Sequence, residues 1–255
     1  MERFPLSEDI SMHRFFASAR RGDTLLLDAE DVHHALKVLR LQQGDAVTCY
    51  FDGCAYLCHI SALHPQEGIM AIDRELPSAE PRIQITLFQG IPKSDKMDMI
   101  VQKAVELGCI RIVPVVMQRC VTRVDSGYEK KRERYLKIAR EACKQSGRSR
   151  MVTVDSPISL GDITRYLPLD ALLVPWENAT AQGPLHFVQS HPDCRSLGIL
   201  IGPEGGIDES EMEALTALGA LPLTLGPRIL RTETAGLACI SALMALYAEM
   251  EVSSR

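Results

Sequence analysis

Two stretches near the C-terminus, Leu197-Gly198-Ile199-Leu200-Ile201-Gly202-Pro203-Glu204-Gly205-Gly206 and Pro222-Leu223-Thr224-Leu225-Gly226-Pro227-Arg228-Ile229-Leu230-Arg231-Thr232-Glu233-Thr234-Ala235, decide how this chain folds. In each, an apolar run of strand length meets a Gly-Pro turn, and a helical pattern follows. Glycine lets the backbone turn sharply and approach a ligand with no Cβ in the way, and the adjacent proline stiffens the loop. Ligands of open α/β sheets bind outside the carboxyl ends of the strands, so two such turns after successive buried strands mark a binding cleft. The Walker Gly-Lys-Ser/Thr ending and the Gly-x-Gly-x-x-Gly fingerprint are both absent from the sequence, which argues against a nucleotide-phosphate enzyme.

Working outward, strands are predicted at Ile83–Gln89, Arg111–Val116, Met151–Val154, Ala171–Pro175, Leu197–Ile201 and Pro222–Leu225. Helices are predicted at Ser94–Leu107, Tyr128–Ser146, Asp208–Leu218 and Thr232–Met250. The alternation implies a parallel α/β sheet with helices on its faces. Ser94 and Asp208 are expected to cap their helices and Gly108 to end the first. The N-terminal part reads differently. Short strands at Thr24–Leu27, Ala46–Phe51, Tyr56–Leu63 and Ile69–Ile72, with helical spacing over Glu30–Leu39, predict a small β-barrel. Leu76–Arg82, carrying Pro77 and Pro81, reads as a linker, giving domains at residues 1–76 and 82–255.

The net charge of −5 conceals a strong asymmetry. Residues 81–150 hold 16 Lys/Arg against 7 Asp/Glu, while the flanking segments are acidic. A basic block of this kind points to a polyanionic partner more reliably than the total does. Along Tyr128–Ser146, Lys130, Arg134, Lys137 and Lys144 recur on one face, continued by Arg148, and Lys93, Lys96 and Arg228 add to the excess. With Arg14 and Arg40 of the barrel these are the expected contacts to a nucleic-acid backbone. The eight scattered cysteines sit largely among apolar neighbours, as reduced thiols do, and no run is long enough to span a bilayer; both favour a cytoplasmic protein. Cys54, Cys58 and His59 lack a second ligand pair, so no metal is expected.

These motifs resemble the RsmE family of SPOUT-class RNA methyltransferases. The resemblance is carried by Ile201–Gly206 and Leu225–Ala235, and by His34-Ala35-Leu36-Lys37-Val38-Leu39-Arg40 with Gly44-Asp45. It continues in Lys93–Asp98 with Lys103–Gly108, and in Glu141–Arg148. Residues 1–11 precede Met12-His13-Arg14-Phe15-Phe16, which is similar to the family's usual start, and read as an extension or a mis-assigned start codon. The resemblance implies a PUA-like RNA-binding barrel followed by an α/β trefoil knot, a homodimer, S-adenosylmethionine as cofactor, and methylation of uridine N3 in 16S ribosomal RNA of the 30S subunit. It leaves open a SPOUT enzyme acting on another base or a ribose 2′-OH, and a non-catalytic RNA-binding protein.

On this reading the cofactor lies against Val174, Pro175 and Trp176, the loop Ile201, Gly202, Pro203, Glu204, Gly205 and Gly206, and Leu225, Gly226, Ile229, Leu230 and Arg231. Leu225, Ile229 and Leu230 would sandwich the adenine. Arg231 is the expected substrate-facing cation, positioned to pair with a phosphate or a uracil carbonyl. Glu204 and Glu233 are candidate acceptors of the N3 proton, a role that requires a pKa raised toward neutrality. The alternative is that cations stabilise the uracil anion while solvent takes the proton.

Overall fold

The computed structural model describes residues 13–122, 124, 127–179 and 182–251. The expected extension at residues 1–11 lies outside them. The chain forms two compact units, residues 1–80 with 143–151, and residues 81–142 with 152–255.

The first unit holds strands β1 (Arg14–Phe16), β2 (Ala19–Arg21), β3 (Thr24–Leu27), β4 (Ala46–Phe51), β5 (Cys54–His64) and β6 (Glu67–Leu76). They form one sheet in the order β1-β4-β5-β6-β3-β2. Among the described residues of this sheet only β1 and β4 pair in parallel. Between β1 and β2, Ala17 N–H donates to Tyr50 O and Ser18 N–H to Leu26 O, which draws the two ends of the sheet together. Phe15, Leu25, Val32, Cys58, Ile60 and Met70 fill the interior. The helical spacing over Glu30–Leu39 resolves into a short helix α1 (Ala29–His33), capped by the Asp28 carboxylate, and a wider π turn over His34–Val38. Of the suggested metal ligands, Cys58 is buried and His59 pairs with Asp73. Among the described residues no cluster of His, Cys, Asp and Glu is placed to hold a metal ion.

The second unit is built on β7 (Gln84–Gly90), β8 (Cys109–Val116), β9 (Thr153–Val154), β10 (Ile158–Ser159), β11 (Ala171–Pro175), β12 (Ser196–Ile201) and β13 (Leu221–Leu223). They run in the order β10-β8-β7-β12-β11-β13, with β9 beside β8, and every pairing is parallel. Apolar strands buried on both faces need helices over them. Those helices are α2 (Lys96–Glu106), α3 (Tyr128–Ser146), α4 (Pro184–Ser190), α5 (Glu209–Ala217) and α6 (Thr232–Leu246). In α2 the spacing of Met97, Ile100, Val101, Ala104 and Val105 buries one face, and in α6 Gly236, Cys239, Ile240, Leu243 and Met244 do the same. Those two helices pack on each other, and α6 also covers β7 and β12. No helix among the described residues is long and apolar enough to cross a membrane.

Punctuation is obeyed at two of three helix ends. Asp208 caps α5 reciprocally with Glu211, and Gly108 ends α2 at φ +99°. Ser94 does not cap α2: its backbone is left-handed at φ +59°, and Asp95 occupies the cap position without a side-chain capping bond.

Candidate active site

Parallel strands deliver their carboxyl ends to one edge, and β12, β11 and β13 are neighbours there. The loops that leave them therefore converge without any long-range coincidence in the sequence. They enclose a cleft of about 770 Å³, a size suited to a nucleoside-sized ligand. Pro175, Trp176, Ile201–Gly206, Leu225, Gly226, Ile229, Leu230 and Arg231, all expected from sequence, line it, and so does Arg228. Val174 does not; its side chain is buried in the core behind the cleft. Lys96, expected as an RNA contact, also lines it, as do Glu177, Thr224 and Thr232, which sequence reasoning missed.

Two glycines explain the shape of the first loop. A Cβ on Gly202 would stand 2.8 Å from Ile207 Cγ1, and one on Gly205 would stand 2.8 Å from Arg119 Cβ and 3.1 Å from Arg119 O. Arg119 then clasps this loop, donating to Gly205 O at 3.2 Å and pairing with Asp208 at 3.0 Å. A second restraint is fully interior. Buried Gln89, at the end of β7, donates from Nε2 to Thr232 Oγ1 at 2.9 Å, and Thr232 donates to Gly202 O at 2.6 Å. This chain of bonds fixes the β12 loop to the start of α6.

The charges converge on Lys96. Its ammonium lies 3.0 Å from Glu204 Oε1 and 3.0 Å from Glu233 Oε2. Both Glu204 oxygens also accept the Lys93 backbone N–H, at 3.1 and 3.2 Å. Burial pushes the Glu204 carboxyl up, but Lys96 and the backbone N–H groups of Glu204 and Lys93 outweigh it and hold it below the usual range. At Glu233 burial is likewise outweighed, by its own backbone N–H, by Lys96 and by the Arg231 charge. Both acids are thus held ionised and weakly basic, the reverse of what a proton acceptor near neutrality requires.

Arg231 takes the cap position of α6, is exposed, and forms no ion pair with Glu204 or Glu233 among the described residues. Leu225 and Leu230 are partly covered, whereas Ile229 is 84% exposed. The surroundings fit S-adenosylmethionine: apolar Trp176, Leu225 and Leu230 suit an adenine, and the Glu177 carboxylate suits cationic sulfonium and ammonium groups.

The expected RNA contacts divide sharply. Arg40, Lys93, Lys130, Lys137 and Arg228 are exposed. Arg134 is exposed too, but pairs with Asp98 at 2.8 Å. Lys96 belongs to the cleft. Arg14 donates to the carbonyls of Lys144 and Gln145, and Lys144 pairs with Asp31 at 3.0 Å with little of its side chain exposed. Arg148 is 3% exposed and pairs with Glu80 at 2.6 Å, so its guanidinium is an interior group and not an RNA contact.

Comparison with known proteins agrees with this geometry. The profile of the RNA methyltransferase domain family matches residues 79–244, and that of the RNA methyltransferase PUA domain matches residues 27–68. A Bacillus subtilis (strain 168) protein named ribosomal RNA small subunit methyltransferase E is 35% identical over 91% of this chain and 96% of its own length. The protein of that name from Aquifex aeolicus (strain VF5) is 30% identical over 91% of this chain and 99% of its own. The crystal structure of a ribosomal RNA small subunit methyltransferase E from Neisseria gonorrhoeae, bound to S-adenosyl methionine, superposes with a TM-score of 0.79 at 32% identity, covering 93% of this chain and 98% of that one.

Proposed function

The chain belongs to the family of RNA methyltransferases named ribosomal RNA small subunit methyltransferase E, and on that premise we propose that it methylates N3 of a uridine in 16S ribosomal RNA, using S-adenosylmethionine. The observation that carries the reading is the convergence of the Ile201–Gly206 and Leu225–Arg231 loops on one cleft, with exposed Arg231 at its rim.

Bound there, S-adenosylmethionine supplies an electrophilic methyl group. The backbone of the two glycine-proline loops and the apolar side chains of Trp176, Leu225 and Leu230 hold and orient the adenosine. Glu177 would face the cationic end. As the N–C bond forms and the C–S bond breaks, the N3 proton must leave. Paired Glu204 and Glu233 are poor acceptors, so Arg231 stabilises the uracil anion while solvent takes the proton. Alignment of the two reactants contributes much of the rate, up to roughly 7–11 kcal/mol.

The remaining features of this reading are a trefoil knot formed by the C-terminal loops, a homodimer, and domains at residues 1–76 and 82–255. The first domain and the exposed cations Arg40, Lys93, Lys130, Lys137 and Arg228 bind the RNA backbone. A substrate on the small ribosomal subunit places the enzyme in the cytoplasm.

The test is methyl transfer from labelled S-adenosylmethionine to 30S subunits lacking ribosomal modifications, with the product nucleoside identified. Labelled 3-methyluridine is the expected product. Label in another nucleoside would overturn the assigned atom, and no label with no cofactor binding would overturn the enzyme reading.

A further inference from the structure

Lys96 stands where a lysine is unfavourable. It is the first residue of α2, where the positive end of the helix dipole opposes a cation. Its side chain is nevertheless drawn into the cleft, 28% exposed, with one carboxylate on either side at 3.0 Å. Those carboxylates come from separate segments: Glu204 from the loop after β12, Glu233 from the first turn of α6. Two residues before Glu233 lies Arg231, exposed, yet engaged with neither acid among the described residues.

We propose that Lys96 is a positioning residue that counters the charge of both cleft carboxylates and so leaves the Arg231 guanidinium free for substrate. Without the ammonium, two half-buried carboxylates would face the cleft uncompensated. A neighbouring guanidinium is the natural replacement cation, because it can engage a carboxylate through two parallel N–H bonds. Arg231 would then be withdrawn from the rim into an ion pair with Glu233, two residues along in the first turn of α6. Lys96 acts through Arg231 and need not touch the reacting atoms. This role deepens the methyltransferase reading and rests on it for its kinetic consequence, while its structural core is testable in the free protein.

The experiment is labelling of arginines in the cofactor-free protein with a dicarbonyl reagent, followed by mass spectrometry. Exposed Arg228 in the same loop serves as the internal standard. Lys96→Met should slow labelling of Arg231 severalfold relative to Arg228, Lys96→Arg should leave it fast, and adding Glu233→Gln to Lys96→Met should restore much of the loss. Lys96→Gln gives the same comparison if the methionine variant does not fold. In the methyl-transfer assay Lys96→Met should lower kcat about tenfold or more, with a smaller change in cofactor affinity. Unchanged Arg231 labelling in Lys96→Met, or no recovery with Glu233→Gln, would overturn the proposal. Labelling that behaves as described in a protein that transfers no methyl group would uphold the role of Lys96 and overturn the functional reading alone.

Discussion

Thr232 and Gly202 are joined by a 2.6 Å hydrogen bond across 30 residues of sequence, and the hydroxyl that donates it also accepts from Gln89. Replacing Thr232 by Val keeps the shape but leaves a buried amide and a loop carbonyl without their partner. The expected cost is about 1–3 kcal/mol of stability, with weakened cofactor binding. Thr232→Ser keeps the hydroxyl and should retain most of both, as urea unfolding and calorimetric titration would show.

Gly205→Ala should disturb the first loop more than Gly219→Ala, although Gly219 has the left-handed backbone at φ +86° and Gly205 does not. The added methyl at 205 meets the Arg119 backbone, which cannot swing aside, while that at 219 meets nothing within 4 Å. Cofactor affinity should therefore fall in Gly205→Ala and hold in Gly219→Ala, which loses only about 1–2 kcal/mol of stability.

Arg231→Ala removes an exposed side chain, so melting temperature should stay near that of the unaltered protein. Methyl transfer should drop by about 10²–10³, the scale of losing one preorganised charge-stabilising group. A loss confined to RNA affinity would remove Arg231 from the chemistry.

Lys130 and Arg148 should separate cleanly although both belong to the basic segment. Lys130→Ala should weaken RNA binding and reduce its salt dependence by about one unit of slope, leaving stability alone. Arg148→Met strands the Glu80 carboxylate, 9% exposed, and should cost about 3–5 kcal/mol of stability.

Acid should destabilise the cleft. The Asp208 carboxyl is held low by the Ser210 hydroxyl, the Ser210 backbone N–H and Arg119, and Glu204 and Glu233 are held low as described above. Groups with depressed values contribute stability above the ordinary carboxylate range and lose it as the pH falls through and below that range. Unfolding free energy measured against pH should decline there, and Glu204→Gln with Glu233→Gln should flatten part of the decline.

Long periodic elements were legible in the sequence: the structure places α3 at the predicted Tyr128–Ser146, and Asp208 caps α5 as read. Three-residue β1 and β2 were not, because so short a run shows no alternation, and α4 buries only Phe187 in its length. At the site, glycine-proline turns were enough to locate the cleft, since their chemistry is local. Charge roles were not local. Arg148 continues the cationic spacing of α3, but Gly147, at φ +80°, turns the chain so that its side chain meets Glu80. Lys96 looked like one more surface cation because its partners lie on distant segments, one on a loop and one on α6. A lysine at a helix N-terminus was the available signal, and it needed the fold to be interpreted.

The first unit borrows residues 143–151 from far along the chain, and its divisibility suffers for it. Asp31, 4% exposed, takes its ammonium from Lys144, and Glu80 its guanidinium from Arg148. Gly53 O accepts from the Ser149 hydroxyl. A fragment ending at residue 80 would carry every strand of the sheet and still bury two acids stripped of their cations. The RNA-binding module of this protein is therefore not a transplantable part: it can be shuffled among proteins only together with a piece of the enzyme that follows it.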